Sequence, residues 1–143
     1  MVPLTPTQIV LVQKSFAQVA PIAATAADLF YARLFETAPQ LRAMFPDDLS
    51  EQKKQLMAML GTVVAGLDRL DRLMPAVRAL GQRHKGYGVT AEDFYPVGSA
   101  LLWTLEQGLG AAFTVETKDA WVTAYGVLSR EMIEAMRELP KAA

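Results

Sequence analysis

Apolar residues recur at three- and four-residue spacing along almost the whole of this chain, and nowhere does a sustained two-residue alternation replace them. The first period lays side chains along one face of an α-helix, whereas the second is what a half-buried strand needs. The pattern therefore predicts an all-α fold. Thr5-Pro6-Thr7-Gln8 reads as a helix start: a hydroxyl to accept from exposed N–H groups, proline in the first turn, and Gln8 to close a capping box. Ile9, Val12, Phe16 and Val19 form the stripe of that helix, which ends near Pro21. The run from Ile22 to Thr37 puts Ala26, Leu29, Phe30, Leu34 and Phe35 on a second stripe; Pro39 breaks it before a short turn from Gln40 to Phe45, and Pro46-Asp47-Asp48 is a connector.

Ser50 is the expected cap of a helix carrying Leu56, Met59, Leu60, Val63 and Leu67, which fades around Asp68. Pro75 is expected to open the next helix through Val77, Leu80 and His84, closed by Gly86 and Gly88. Thr90 and Asp93 can cap a long helix with Phe94, Val97, Leu101, Leu102, Leu105 and Leu109 inward, ended by Gly110. Thr114 starts the last, striped by Trp121, Ala124, Tyr125, Leu128 and Met132. Six to seven helices of uneven length, with proline at several corners, suit oblique packing around one core better than a regular up-and-down bundle. Oblique packing leaves gaps that a flat apolar group can fill. With no internal repeat and no linker, residues 1–143 are expected to form one domain.

The chain has no cysteine, which excludes disulfides, iron–sulfur clusters and thiolate zinc sites and fits a reducing compartment, so cytoplasm is the expected location. Met1-Val2-Pro3-Leu4-Thr5 lacks a basic stretch followed by an apolar run, and the apolar stretch from Leu56 to Leu67 is shorter than the span of about 20 residues a membrane requires. A soluble, unprocessed chain is expected. Fourteen basic and fifteen acidic side chains nearly cancel and are scattered. Neither nucleic acid nor a membrane is therefore an expected partner, since phosphate binding needs a concentrated basic field.

The chain holds a single histidine, His84. A lone histidine in a helical domain is commonly a surface residue or a hydrogen-bonded core residue. Here Val77, Leu80 and His84 share a face, so the imidazole points where the apolar residues point. The commonest chemistry open to one imidazole is axial ligation of a haem iron, where the porphyrin supplies the other nitrogens. Ligation needs the neutral ring with one nitrogen free and the other held, and the Leu80 carbonyl four residues back is the candidate holder.

Gln52 and Leu56 share a helix face, and Tyr31 lies among Leu29, Phe30 and Leu34 on the second stripe. A phenol and an amide facing a bound diatomic ligand could donate to dioxygen, which carries partial negative charge, and so favour it over carbon monoxide. Taken singly, Tyr31 also reads as an edge tyrosine with a wet hydroxyl and Gln52 as a solvated first-turn glutamine.

These residues stand in an order that resembles the haem globins, and more closely single-domain bacterial globins related to the haem half of flavohaemoglobins. The carrying stretches are Leu41-Arg42-Ala43-Met44-Phe45-Pro46, Gln52-Lys53-Lys54-Gln55-Leu56, Arg83-His84-Lys85-Gly86-Tyr87-Gly88-Val89, Tyr95-Pro96-Val97-Gly98, and Ala120-Trp121 with Ala124-Tyr125-Gly126. The resemblance implies a globin fold around a haem pocket and haem b as cofactor. By position it implies His84 as the proximal iron ligand, Phe45 as the ring stacked on the porphyrin, Tyr31 and Gln52 as distal polar residues, and Leu56 as the apolar wall. Leu80, Val89, Phe94 and Tyr95 would line the haem, with Tyr95 near the histidine, and Arg83, Lys53 and Lys85 are candidates for its propionates.

Two departures stand out. With glutamine at the distal position and no second histidine, a bis-histidine state is unavailable, so the iron is expected to keep an open site. Flavohaemoglobins carry a last-helix glutamate that hydrogen-bonds the proximal histidine; counting from Tyr125-Gly126, that position falls on Met136, with Glu134 about 200° away around the helix. The function implied is reversible binding of dioxygen and other diatomic gases (carbon monoxide, nitric oxide) with high oxygen affinity. The alternatives are a nitric oxide dioxygenase served by an external reductase, since no G-x-G-x-x-G fingerprint occurs in the chain, and a gas sensor. A helical interaction module with an incidental histidine is the reading without haem.

Overall fold

The computed structural model describes residues 4–138. Within them lie six α-helices: α1 (Pro6–Val19), α2 (Ala23–Thr37), α3 (Ser50–Ala65), α4 (Leu70–Gly86), α5 (Phe94–Leu109) and α6 (Val115–Arg137), joined by short 3₁₀ turns, and no strand occurs among the described residues. The all-α expectation and the helix number are met. The capping box at the start of α1 is present: the Thr5 hydroxyl accepts from Gln8 N at 3.1 Å, and Gln8 Oε1 accepts from Thr5 N at 3.0 Å. Thr114 caps α6 by accepting from Thr117 N, and a Thr90–Asp93 capping box forms on the turn before α5.

Two helix starts differ from expectation. Ser50 is the first helical residue of α3 rather than its cap; Asp48 does the capping, its Oδ1 accepting from Ser50 N at 2.9 Å and from the Ser50 hydroxyl at 2.7 Å. These two bonds favour the ionised form and hold the Asp48 carboxyl below the usual range. Pro75 does not open α4; the helix begins at Leu70 and runs through it. The proline forfeits one helical hydrogen bond, but Leu70, Leu73, Val77 and Leu80 keep the three- and four-residue rhythm across it, and Leu73 and Val77 are buried. Burial of that stripe outweighs the missing bond.

α4 packs most extensively on α6, α2 on α5, and α1 on α6. The closest approach is at Gly81, where an added Cβ would lie 2.6 Å from the Met132 carbonyl oxygen and 2.8 Å from Met132 Cα, so only glycine lets the two backbones meet. Gly98 similarly admits the Tyr125 ring, 2.6 Å from where a Cβ would stand, and the Tyr125 hydroxyl donates to the Phe94 carbonyl. Buried Trp121 donates its indole N–H to the Ser15 hydroxyl at 2.8 Å, which in turn donates to the Leu11 carbonyl at 2.7 Å, so the α1–α6 contact leaves no orphaned polar atom there.

The run Pro6–Thr37 has the length and mean hydropathy, 1.3, of a membrane span, longer than the Leu56–Leu67 stretch. In the fold it is broken by the Ala20–Ile22 turn at Pro21 into α1 and α2, which pack on α6 and α5 respectively.

Candidate functional site

The buried apolar residues fall into three groups rather than one. The largest gathers around Val12, Leu67 and Trp121. A second, on α2 and its surroundings, holds Phe30, Tyr31, Leu34 and Leu41, with Phe45, Leu49 and Leu56 half-buried against it. A third, between α4 and α6, holds Leu73, Val77, Phe94, Met132 and Met136, with Leu80 and Val89 at its margin. α3 and α4 meet at the corner that joins them, where Gly66 backs onto Leu73 and Val63 packs on the third group. Beyond that corner the two helices make almost no close backbone contact. They diverge, with Gln52 and Leu56 toward the free end of one arm and His84 at the free end of the other.

His84 sits in the last turn of α4, and the way that helix ends fixes it. Gly88 takes a left-handed φ of 89°, Gly88 N donates to the Lys85 carbonyl at 3.0 Å, and Val89 N donates to the His84 carbonyl at 3.2 Å. This is the glycine-terminated cap in which the reversed residue lets two trailing N–H groups return to the last carbonyls. The His84 Nδ1 lies 2.7 Å from the Leu80 carbonyl oxygen. A carbonyl can only accept, so Nδ1 carries a proton, and the neutral ring in that tautomer has its lone pair on Nε2. The ring is half-buried, edge-on to Tyr87 with centroids 5.9 Å apart.

Across the divergence stands an aromatic group. The Tyr31 ring lies 5.0 Å from Phe30, 5.9 Å from Phe35 and 5.7 Å from Phe45, and Phe35 and Phe45 are 5.3 Å apart. Burial, which penalises the phenolate, raises the Tyr31 hydroxyl to about 12. That hydroxyl reaches the backbone carbonyl of Gln52 at 3.4 Å, long for an O–H donor and correspondingly weak. The Gln52 side chain and Leu56 are half-buried. Behind Leu56 lies a small apolar cavity of about 20 Å³, bordered also by Phe30, Leu60, Leu101 and Trp121.

The residues read from the sequence thus divide. Tyr31, Phe45, Leu56 and the Gln52 backbone come together on one side, and His84, Leu80, Val89 and Phe94 on the other. Tyr95 does not join them: it is 81% exposed while Phe94 is buried, because neighbouring residues of a helix point about 100° apart and only one of the pair faces inward. Lys53 is paired with Asp28 of α2 at 2.9 Å, and Lys85 donates to the Met136 carbonyl on α6 at 3.1 Å, so both ammonium groups are directed at protein partners instead of an incoming carboxylate. Arg83 is exposed in the last turn of α4. Met136 is buried in the α4–α6 contact, Glu134 is exposed, and Glu131 pairs with Arg78 at 2.7 Å. The His84 ring is oriented by a backbone carbonyl.

Haem is a group these residues fit. Few close contacts cross the wedge between α3 and α4, the side chains gathered with Tyr31 and Phe45 on one side and with Leu80, Val89 and Phe94 on the other are largely apolar, and in its neutral form the one imidazole offers Nε2 from a helix locked at its end. Phe35 reads from the sequence as a stripe residue and Arg42 as part of the Leu41–Pro46 stretch, neither with a role at the site; that role depends on contacts with the connector that no helical period reports.

The globin family profile matches residues 28–132, and the chain belongs to the globin family. It is 31% identical over 117 residues to a flavohemoprotein of Bacillus subtilis, covering 80% of this chain and 29% of that protein, and 35% identical over 117 residues to a flavohemoprotein of Bordetella parapertussis with the same coverage. The chain therefore spans less than a third of the flavohemoproteins it matches. It is also 31% identical over 118 residues to the neuroglobin of Danio rerio, covering 73% of this chain and 74% of that one. In fold it is similar to a bacterial globin from Campylobacter jejuni, with TM-score 0.84, 23% identity and coverage of 94% and 98% of the two chains. The flavohemoglobin from Malassezia yamatoensis with bound FAD and heme superposes with TM-score 0.81 at 19% identity, over 96% of this chain and 38% of that one. The resemblance read from the ordered motifs is borne out, and membership of the family implies haem binding.

Proposed function

We propose that this chain holds haem b between α3 and α4 through His84 Nε2 and binds dioxygen, and with it carbon monoxide and nitric oxide, reversibly on the side of Tyr31 and Gln52. The observation that carries the reading is the His84 Nδ1 to Leu80 carbonyl contact of 2.7 Å, which commits one ring nitrogen and leaves the other for a metal. Haem held there would supply the iron that takes a diatomic ligand. The chain supplies the rest. Its lack of a second histidine means no imidazole competes with that ligand. Phe45 and Leu56 line the wedge with apolar surface and limit water. Burial pushes the Tyr31 phenol up to about 12 and so keeps it a neutral donor at ordinary pH, and its weak 3.4 Å contact with the Gln52 carbonyl is cheaply exchanged for a stronger one to a partly negative ligand. Such a donor slows release, which supports a high-affinity binder.

The test is the absorption spectrum of the purified protein, oxidised, reduced and under carbon monoxide. A red protein with a five-coordinate ferrous spectrum is expected; a colourless protein that does not take up added haem overturns the reading.

A second reading, nitric oxide dioxygenase with a separate reductase, is favoured by the similarity to flavohemoproteins over 29% of their length, the globin region. Single-turnover nitrate formation does not separate the two, since oxygenated globins generally perform it; sustained nitrate production with a cellular reductant does.

A further inference from the structure

The connector that carries Phe45 is exposed along most of its length, from Pro46 through Asp48, yet its backbone is pinned by one side chain. Arg42 Nη1 donates to the Phe45 carbonyl at 3.3 Å and to the Pro46 carbonyl at 3.0 Å, while Nη2 donates to the Asp47 carbonyl at 3.1 Å. The same guanidinium lies over the Phe35 ring, 5.2 Å from its centroid. Phe35 in turn meets Phe45 edge-to-face at 5.3 Å and Tyr31 at 5.9 Å. At the far end the Asp48 carboxylate holds the first turn of α3 through Ser50.

We propose that Arg42 is a positioning residue for the haem-facing aromatic group: one guanidinium clamps three successive carbonyls and the face of Phe35, and so fixes where the Phe45 ring stands relative to Tyr31. A planar, five-donor cation can do both at once; an ammonium, with its donors at one point, cannot. Three successive carbonyls turned toward one side chain have no ladder partners, and without Arg42 they turn to water and the segment follows. Phe45 then loses its fixed position, although no residue touching the ligand has changed. The proposal rests on the haem reading for its consequence, but the clamp itself is a property of the polypeptide.

The test compares wild type with R42A and R42K as full chains, each haem-loaded and haem-free. Two quantities are read: amide hydrogen exchange in the haem-free protein, and, in the loaded protein, the rate of haem transfer to an excess of a haem-scavenging apoprotein together with Soret circular dichroism, which reports aromatic rings coupled to the porphyrin. R42A is expected to speed exchange about tenfold at the Phe45 and Ser50 amides, the hydrogen-bonded N–H groups at either end of the connector, leaving α6 unchanged, and to speed haem transfer by a similar factor with an altered Soret dichroism. R42K is expected to recover less than half of either effect, since it restores charge without the fork. Exchange faster by the same factor along the whole chain would show a purely global stability role and overturn the proposal. So would rates within twofold of wild type in R42A. If wild type takes up no haem, the functional reading fails, while the exchange measurement still decides whether Arg42 holds the connector. If R42A fails to fold, R42K carries the same comparison.

Discussion

The imidazole of His84 and the carbonyl of Leu80 meet at 2.7 Å within one helix, four residues apart. The contact sets the tautomer before any ligand arrives, because the helix places acceptor and ring on the same face and Gly88 locks the end of the helix one residue beyond Tyr87. Pre-setting the tautomer removes an ordering cost from ligation.

Replacing His84 by glycine is expected to abolish haem retention in the purified protein, read as loss of the Soret band, and to leave helicity within about a tenth of wild type. Free imidazole added with haem should restore the band by filling the vacated space. A full Soret band in His84→Gly without imidazole would end the proximal assignment.

Tyr31→Phe keeps the ring among Phe30, Phe35 and Phe45 and removes only the hydroxyl. If that hydroxyl donates to bound dioxygen, losing it should raise the dissociation rate about tenfold, the size of one hydrogen bond to a partly charged acceptor. Stopped-flow displacement of dioxygen by carbon monoxide gives the rate directly, and an unchanged value removes Tyr31 from the donors.

The same phenol makes stability depend on alkaline pH. Tyr31 is raised from 10.0 to about 12 in the folded protein by burial. Above pH 10 the unfolded phenol ionises while the folded one keeps its proton, so the folded state holds more protons and loses ground as pH rises toward 12. The Tyr125 hydroxyl is shifted in the same direction, again by burial. Urea midpoints should therefore fall between pH 10 and 12 in wild type and fall less steeply in Tyr31→Phe, with the two proteins parallel below pH 9.

Gly81→Ala sets a Cβ 2.6 Å from the Met132 carbonyl oxygen, against backbone that has no rotamer to give. α4 must move off α6, at about 1–3 kcal/mol of overpacking. Gly88→Ala meets open space, and its cost comes only from the left-handed φ of 89°, about 1 kcal/mol. Chemical denaturation should rank the two in that order. Haem transfer should quicken in both, since each loosens the helix that presents His84.

Elements whose signals are local were legible in the sequence. Thr5 with Gln8 and Thr114 each carry their cap within three residues and are found as read, whereas the Thr90–Asp93 box closes the short turn before α5 instead of capping that helix itself. Pro75 was misleading because the gain that carries α4 through it comes from Leu73 and Val77 packing on α6, which a local rule about proline does not contain. Ser50 lost its capping role to Asp48, a competitor two residues upstream with a stronger acceptor. At the site, the spacing from Leu80 to His84 foretold the tautomer contact, whereas Tyr95 and Phe94 could not be told apart without knowing which way the turn before α5 delivers the helix. Lys53 and Lys85 carried charge in the right neighbourhood, but charge does not say which partner a long side chain finds.

The divergence of α3 from α4 bears on the life of the protein in the cell. The apolar groups on either arm of the wedge share no common centre, so a guest between them completes the interior for both. The fraction of chains kept folded then follows guest supply, gaining about 1.4 kcal/mol for each tenfold excess over its dissociation constant. The stability of the chain thus rises with the cofactor available to it.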